Sequence, residues 1–97
     1  MARSQSVSGT FTGTGQSDTC YGNKIVIKMD FAGTASVDLE ASLAGAWIKI
    51  ETGITADYFK VFEAPVMQEL RLNCTSFTNN VVYEMQASVG GSSIYGG

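Results

Sequence analysis

The stretch ELRLNCTSFTNNVVYEMQAS, residues 69–88, decides the predicted fold. Its alternating apolar positions are Leu70, Leu72, Cys74, Val81, Tyr83, Met85 and Ala87. Alternation with a period of two places successive side chains on opposite faces of a strand. The Thr-Asn-Asn cluster at residues 78–80 has the length and the residue types of a hairpin connection. The stretch therefore predicts an antiparallel hairpin with one face on a core.

Further segments of the chain also show strand patterns. They are residues 7–12, 24–31, 35–43, 47–52 and 57–63. A helix is the alternative for residues 35–43, ASVDLEASL, but their apolar side chains do not recur at helical spacing. Pro65 is expected between two strands, where it cannot disturb a ladder. These patterns predict an all-β fold, an antiparallel β-sandwich (Ig-like or jelly-roll-like) of about seven short strands.

The apolar side chains that share one face of each predicted strand form the predicted core. Its members are Ile25, Ile27, Met29, Phe31, Val37, Leu39, Ile48, Ile50, Phe59, Val61, Leu70, Leu72, Val81, Tyr83 and Met85. With 97 residues, the chain has room for one such core and so for a single domain over residues 1–97. A polar N-terminal arm over about residues 1–6 and a Gly/Ser-rich tail over about residues 89–97 are expected to flank it.

Charge and hydropathy exclude several classes of partner. The formal net charge is −3, and the 6 basic residues are scattered, whereas phosphate contacts need clustered Lys and Arg. No apolar stretch reaches the ~20 residues that cross a bilayer. The first residues, MARSQSVSGTF, lack the apolar segment of a secretory signal. We therefore expect no nucleic-acid or membrane partner, and synthesis in a cytoplasm.

The residue types predict no catalytic, cofactor-binding or metal site. The chain has no histidine, which is the commonest general base and metal ligand. Cys20 and Cys74 are expected to be thiols, and Cys74 to be buried in phase with its strand, although a Cys20–Cys74 bridge is left open. Asp38 and Glu40 lie two apart on one strand and are interpreted as a solvated polar face rather than as paired catalytic carboxylates.

Two segments resemble proteins of a known kind. The run GTASVDLEAS at residues 33–42, followed by Gly45, Ala46 and Trp47, resembles a hairpin of small β-sandwich accessory proteins of bacteriophage virions. The run LRLNCTSF at residues 70–77, continuing to Tyr83, resembles the closing hairpin of the same modules. Together these segments cover roughly half of the chain.

The resemblance implies a non-enzymatic virion protein. The first expectation is a capsid cement or decoration protein that stabilises the shell by docking on the major capsid protein; a small head–tail or tail component is the alternative. The expected partners are the major capsid protein or another virion protein, and further copies of the chain in a trimer or dimer. The candidate interface residues are Trp47, Tyr58, Phe62, Ile94 and Tyr95.

A second functional class is a carbohydrate-binding or receptor-binding β-sandwich module. In this reading Trp47 and Tyr58 form an aromatic platform for a sugar, and Asp38 or Glu40 accepts hydrogen bonds from it. The two classes differ in what they expect of these aromatic side chains. A sugar platform requires them on one exposed face of a monomer, whereas a virion protein has them partly covered by another chain.

Overall fold

The structure is a computed structural model that describes residues 5–88, and these residues form strands and turns without a helix. The strands are β1 (Ser6–Phe11), β2 (Gly15–Gln16), β3 (Cys20–Phe31), β4 (Ala35–Leu43), β5 (Ala46–Ile54), β6 (Tyr58–Phe77) and β7 (Val81–Ser88). All belong to one antiparallel sheet of order β1-β7-β3-β6-β4-β5, with β2 paired to β6. The all-β antiparallel prediction is confirmed. This part of the chain has no helix that could span a bilayer.

The sheet folds over on itself and encloses a single core. Both faces of a flat sheet stay open to water, yet Ile25 and Ile27 of β3 and Leu39 of β4 have no exposed surface and belong to one cluster. One half of the sheet contains β1, β7, β3 and the beginning of β6; the other contains the end of β6, β4 and β5. The long β6 is therefore shared by the two halves, which pack as the layers of a sandwich do.

The predicted hairpin over residues 69–88 is wrong in its pairing. The strands lie where the alternation places them, but β7 pairs with β1 and β3, while the end of β6 pairs with β4. The connections at residues 32–34 and 78–80 run side by side at this corner, where the Thr78 amide donates to the Thr34 carbonyl and the Ala32 amide to the Asn80 carbonyl. Alternation fixes the face that a side chain occupies, but it does not identify the neighbouring strand.

Pro65 lies within β6, and not between two strands as predicted. Gly22 of β3 pairs with Gln68 and Lys24 pairs with Glu63, so that residues 64–67 form an irregularity opposite a single β3 residue. Proline donates no hydrogen bond and is tolerated in a sheet at such a bulge. The two strands predicted around Pro65 are consequently one strand of 20 residues.

The β4–β5 hairpin turns through two residues, Ala44 and Gly45, whose φ angles are 50° and 87°. Both angles are positive, as a tight turn matched to the twist of its strands requires. Farther along β5, a register shift sets Ile50 and Glu51 together opposite Leu39 of β4. This bulge turns Glu51 toward the core side of the sheet.

Most of the predicted core is confirmed. The confirmed buried members are Ile25, Ile27, Met29, Val37, Leu39, Leu70, Leu72, Val81 and Met85, and Phe31 and Tyr83 pack partly buried against them. Ile48, Ile50, Phe59 and Val61 were predicted inside and are exposed. Two causes account for this. The opposite half of the sheet covers β5 only at its end, where Ile54 is buried, and β6 turns Tyr58 and Phe62 toward the core instead of Phe59 and Val61.

Candidate interaction surfaces

Asp38 and Glu40 are buried carboxylates on the outer face of β4, joined in an ionic network whose cation Lys49 is half-exposed, and the predicted solvated face is wrong. Their exposed fractions are 5% and 4%. Lys49 Nζ lies 2.6 Å from Asp38 Oδ2 and 3.7 Å from Glu40 Oε2, while Arg71 Nε donates to Glu40 Oε1 at 2.7 Å. Asn73 Nδ2 also donates to Glu40, at 3.1 Å. Neighbouring strands supply these partners because Glu40 lies opposite Lys49 on β5 and Arg71 on β6.

The network keeps both carboxyls ionised. Burial raises the pKa of Asp38, but hydrogen bonds from Lys49 and the Gly53 amide, together with the Lys49 charge, outweigh burial and hold that pKa below its usual value. For Glu40, hydrogen bonds from Arg71 and Asn73 and the charges of Arg71 and Lys49 likewise overcome burial and lower the pKa. Paired carboxylates for acid–base catalysis need one member with a raised pKa. This arrangement is that of a structural ion network that fastens β5 to β4.

The structure places Trp47 and Tyr58 on opposite faces of the sheet. Trp47 is half-buried beside the network, with the Arg71 guanidinium 4.3 Å from its ring centre, a cation–π contact. Tyr58 faces the core side, where its hydroxyl donates to Glu51 Oε1 at 2.6 Å. The two rings therefore do not form one platform, and the carboxylates assigned to a bound sugar are occupied.

The remaining predicted interface residues differ in their placement. Phe62 is half-buried and packs against the core, as Tyr58 does. Ile94 and Tyr95 lie outside the described residues. Of the five, Trp47 alone is described on the outer face of the sheet.

The two cysteines are buried thiols, and the predicted burial of Cys74 is confirmed. Cys20 lies opposite Leu70 of β6, whereas Cys74 lies four residues farther along that strand. Four residues of strand span roughly 13 Å, about twice the Cα separation that a disulfide allows. Burial raises the pKa of both thiols, which lowers their reactivity. The two residues thus act as small core side chains.

Two exposed apolar surfaces stand out among the described residues. The hairpin surface consists of Leu43, Ile48 and Ile50 on β4 and β5, with exposed fractions of 57%, 46% and 36%. The outer strip lies on the other half of the sheet and consists of Val26, Phe59, Val61 and Val82. Phe59 is the most exposed large apolar side chain of this part of the chain, at 68%.

Sequence reasoning missed both surfaces because it assigned most of their residues to the core. The signal present in the sequence was the strand at residues 57–63, which carries aromatic side chains on both faces. Such a strand either is covered on both faces within its own chain or contacts another molecule with one of them. The structure covers only one of its faces within the chain, since Tyr58 and Phe62 pack on the core while Phe59 and Val61 are exposed.

Comparisons with protein-family models, with curated proteins and with solved structures gave no match to this chain. Within residues 5–88, no three acidic or cysteine side chains gather as metal ligands do. The candidate site is therefore defined by the geometry of the two apolar surfaces.

Proposed function

We propose that the protein is a non-enzymatic virion accessory protein of a bacteriophage, a cement or decoration protein that docks on the major capsid protein through the hairpin surface. The observation that supports this proposal is the exposure of Leu43 and Ile48 at one end of a hairpin whose opposite face is fastened by the ionic network. The resemblance of residues 33–47 to a virion hairpin concerns the same element.

The β4–β5 hairpin is built to keep its shape during docking. Lys49 joins β5 to Asp38 of β4, and the Gly53 amide donates to the same carboxylate at 3.0 Å. The Arg71 guanidinium covers one face of Trp47. A surface that is rigid before it binds loses less conformational entropy on binding. The hairpin surface therefore suits recognition of a fixed site on a preassembled shell.

The apolar area of the hairpin surface sets the expected strength of one contact. Burying a fully exposed aliphatic side chain contributes about 1.5–3 kcal/mol, and these three side chains are between one third and three fifths exposed. Because association itself costs several kcal/mol, one contact of this size is weak. A shell offers many equivalent sites, and an oligomer that carries one hairpin surface on each copy engages several of them at once, which raises the overall avidity.

The test is binding of the purified protein to purified phage capsid shells, measured by co-sedimentation. The double variant Leu43→Ser/Ile48→Ser removes two apolar side chains from the hairpin surface. The matched control is Val66→Ser, because Val66 is 62% exposed and belongs to neither surface. We expect saturable binding of the native protein and of Val66→Ser, and at least about a tenfold loss for the double variant.

Two results would count against the proposal. One is a protein that stays in the supernatant with every shell at every concentration. The other is equal binding by the native protein and the double variant, which would remove the hairpin surface from the contact. Circular dichroism of each variant separates a lost contact from a lost fold.

A further inference from the structure

We propose that a second copy of this chain packs on the outer strip through a twofold contact in which Phe59 of each copy enters a depression on the other. This contact is independent of docking on a shell, because the outer strip and the hairpin surface lie on different halves of the sheet. The first reason is the position of Phe59. It lies opposite Lys28 of β3 on the outer face, and Val61 lies opposite Val26 in the next row.

A depression that suits an aromatic ring lies on the same face. It is shallow, has a volume of about 210 Å³ and is lined by Lys28, Met29, Asp30, Val82, Tyr83 and Glu84. Lys28 separates this depression from Phe59, since it pairs with Phe59 of β6 on one side and with Glu84 of β7 on the other. A projecting ring and a hollow therefore lie side by side on one surface.

A surface that carries its own projection and its own hollow is complementary to itself under a twofold axis. The axis exchanges the two features, so that both copies make the same contact. Phe59 then meets Val82 of the other copy, and an aromatic side chain in a pocket is the usual anchor of an interface.

The charges around the strip also favour a second copy. Lys28 Nζ and Glu84 Oε1 lie 3.1 Å apart, and both side chains are well exposed. The twofold axis that exchanges ring and hollow passes over Lys28, so the lysines of the two copies lie beside each other, and each takes Glu84 of the other copy as its ionic partner. The chain as a whole carries −3, so a nearly balanced surface is where two copies approach with least repulsion.

The face is large enough for a weak to moderate dimer. Four strands spaced about 4.8 Å apart and eight residues of about 3.4 Å each give a face of roughly 19 by 27 Å. Two such faces bury at most about 1,000 Å², the lower bound of a specific interface, because the outer face of a sheet that folds over its core is convex. We accordingly expect a dimer whose population depends on protein concentration.

The experiment measures native mass by sedimentation equilibrium over a range of concentrations. We expect the native protein and Val66→Ser to form a dimer, and Phe59→Ser to raise the dissociation constant at least about tenfold. Lys28→Glu and Glu84→Lys each place like charges on both faces and are expected to weaken the dimer by a similar factor. An equimolar mixture of these two charge variants is expected to regain association, because its faces then carry opposite charge.

The mixture makes the test independent of folding, since misfolded variants do not restore one another. A native protein that is monomeric at all accessible concentrations would overturn the proposal. A dimer or trimer that Phe59→Ser leaves unchanged would overturn it too, because the assembly would then use another surface. Failure of the two charge variants to associate in the mixture would exclude the exchanged Lys28–Glu84 contact.

Discussion

Tyr58 donates a hydrogen bond of 2.6 Å to Glu51, although the strands that carry these two residues do not pair with each other. Lys60 Nζ lies 3.7 Å from the same carboxylate oxygen. Glu51 reaches this position because the β5 bulge turns it to the core side of the sheet. The contact joins β5 to the beginning of β6, where the described backbones form no ladder. This side-chain contact thus holds β5 against β6, whereas backbone hydrogen bonds join neighbouring strands elsewhere in the sheet.

The first prediction concerns this contact. Tyr58→Phe removes the hydroxyl, and we expect the free energy of unfolding to fall by about 1 kcal/mol, a modest value because Glu51 is partly solvated. Urea unfolding of Tyr58→Phe, Glu51→Ala and the double variant gives the coupling between the two residues, because alanine leaves no side-chain acceptor for the hydroxyl. Additive effects of the two substitutions would show that the hydrogen bond contributes no stability.

The second prediction concerns the buried network. Glu40→Gln removes the carboxylate that pairs with Arg71 at 2.7 Å, while Lys49 keeps its 2.6 Å contact with Asp38. We expect a loss of about 2–4 kcal/mol in the free energy of unfolding. The control is Glu84→Gln, which breaks the exposed Lys28 pair and is expected to cost about 0–1 kcal/mol. Equal losses of unfolding free energy for the two variants would mean that burial does not increase the contribution of the network to stability.

The third prediction is the response to acid. The pKa values of Asp38 and Glu40 lie below their ordinary values of 3.8 and 4.5, so the unfolded chain binds protons at higher pH than the folded one. The stability that these two groups contribute is complete at a pH above their unfolded-state pKa values, and it is lost as the pH falls through the lower pKa values of the folded state. Urea unfolding between pH 7 and pH 2 measures the decline, which we expect to be smaller in Glu40→Gln. An unfolding free energy that stays constant down to pH 2 would contradict the assignment.

The fourth prediction concerns the close approach of β7 to Gly22 of β3. A Cβ atom added at Gly22 would lie 2.6 Å from the Ala87 Cβ and 2.7 Å from the Ser88 carbonyl oxygen, and backbone cannot yield as a flexible side chain can. We expect Gly22→Ala to destabilise the fold by about 1–3 kcal/mol. Gly13→Ala is the matched control, since its Cβ meets no atom within 4 Å. Thermal unfolding of both variants checks the difference, and similar melting temperatures would contradict the close packing at Gly22.

Local alternation predicted the strands well and their partners poorly. The predicted bounds of β4, residues 35–43, agree with the structure because its side chains alternate without interruption. The pairing of β6 with β7 was wrong because tertiary packing, and not chain proximity, selects the neighbours of each strand. The predicted position of Pro65 between two strands was wrong for a related reason. A bulge that tolerates proline depends on the register of the opposite strand, which the local sequence does not give.

The candidate site was less predictable than the fold. Asp38 and Glu40 are acidic residues on an alternating strand, and their partners come from neighbouring strands. Lys49 of β5 contacts both carboxylates, and Arg71, which is remote in sequence, reaches Glu40 only through the pairing of β4 with β6. The exposure of Ile48 and Phe59 depends on how far each half of the sheet covers the other. Neither property is encoded in the period of a single strand.

The most direct test of docking through the hairpin surface is hydrogen exchange of the protein alone and bound to purified phage capsid shells. Docking through the hairpin surface predicts slower exchange of amides in residues 43–50 when the shell is bound, because β5 is an edge strand whose outward amides have no partner strand among the described residues. Residues 82–86 on the outer strip serve as an internal reference and are expected to remain unchanged. Unaltered exchange over residues 43–50 in protein that sediments with the shell would show that the hairpin surface is not the docking surface.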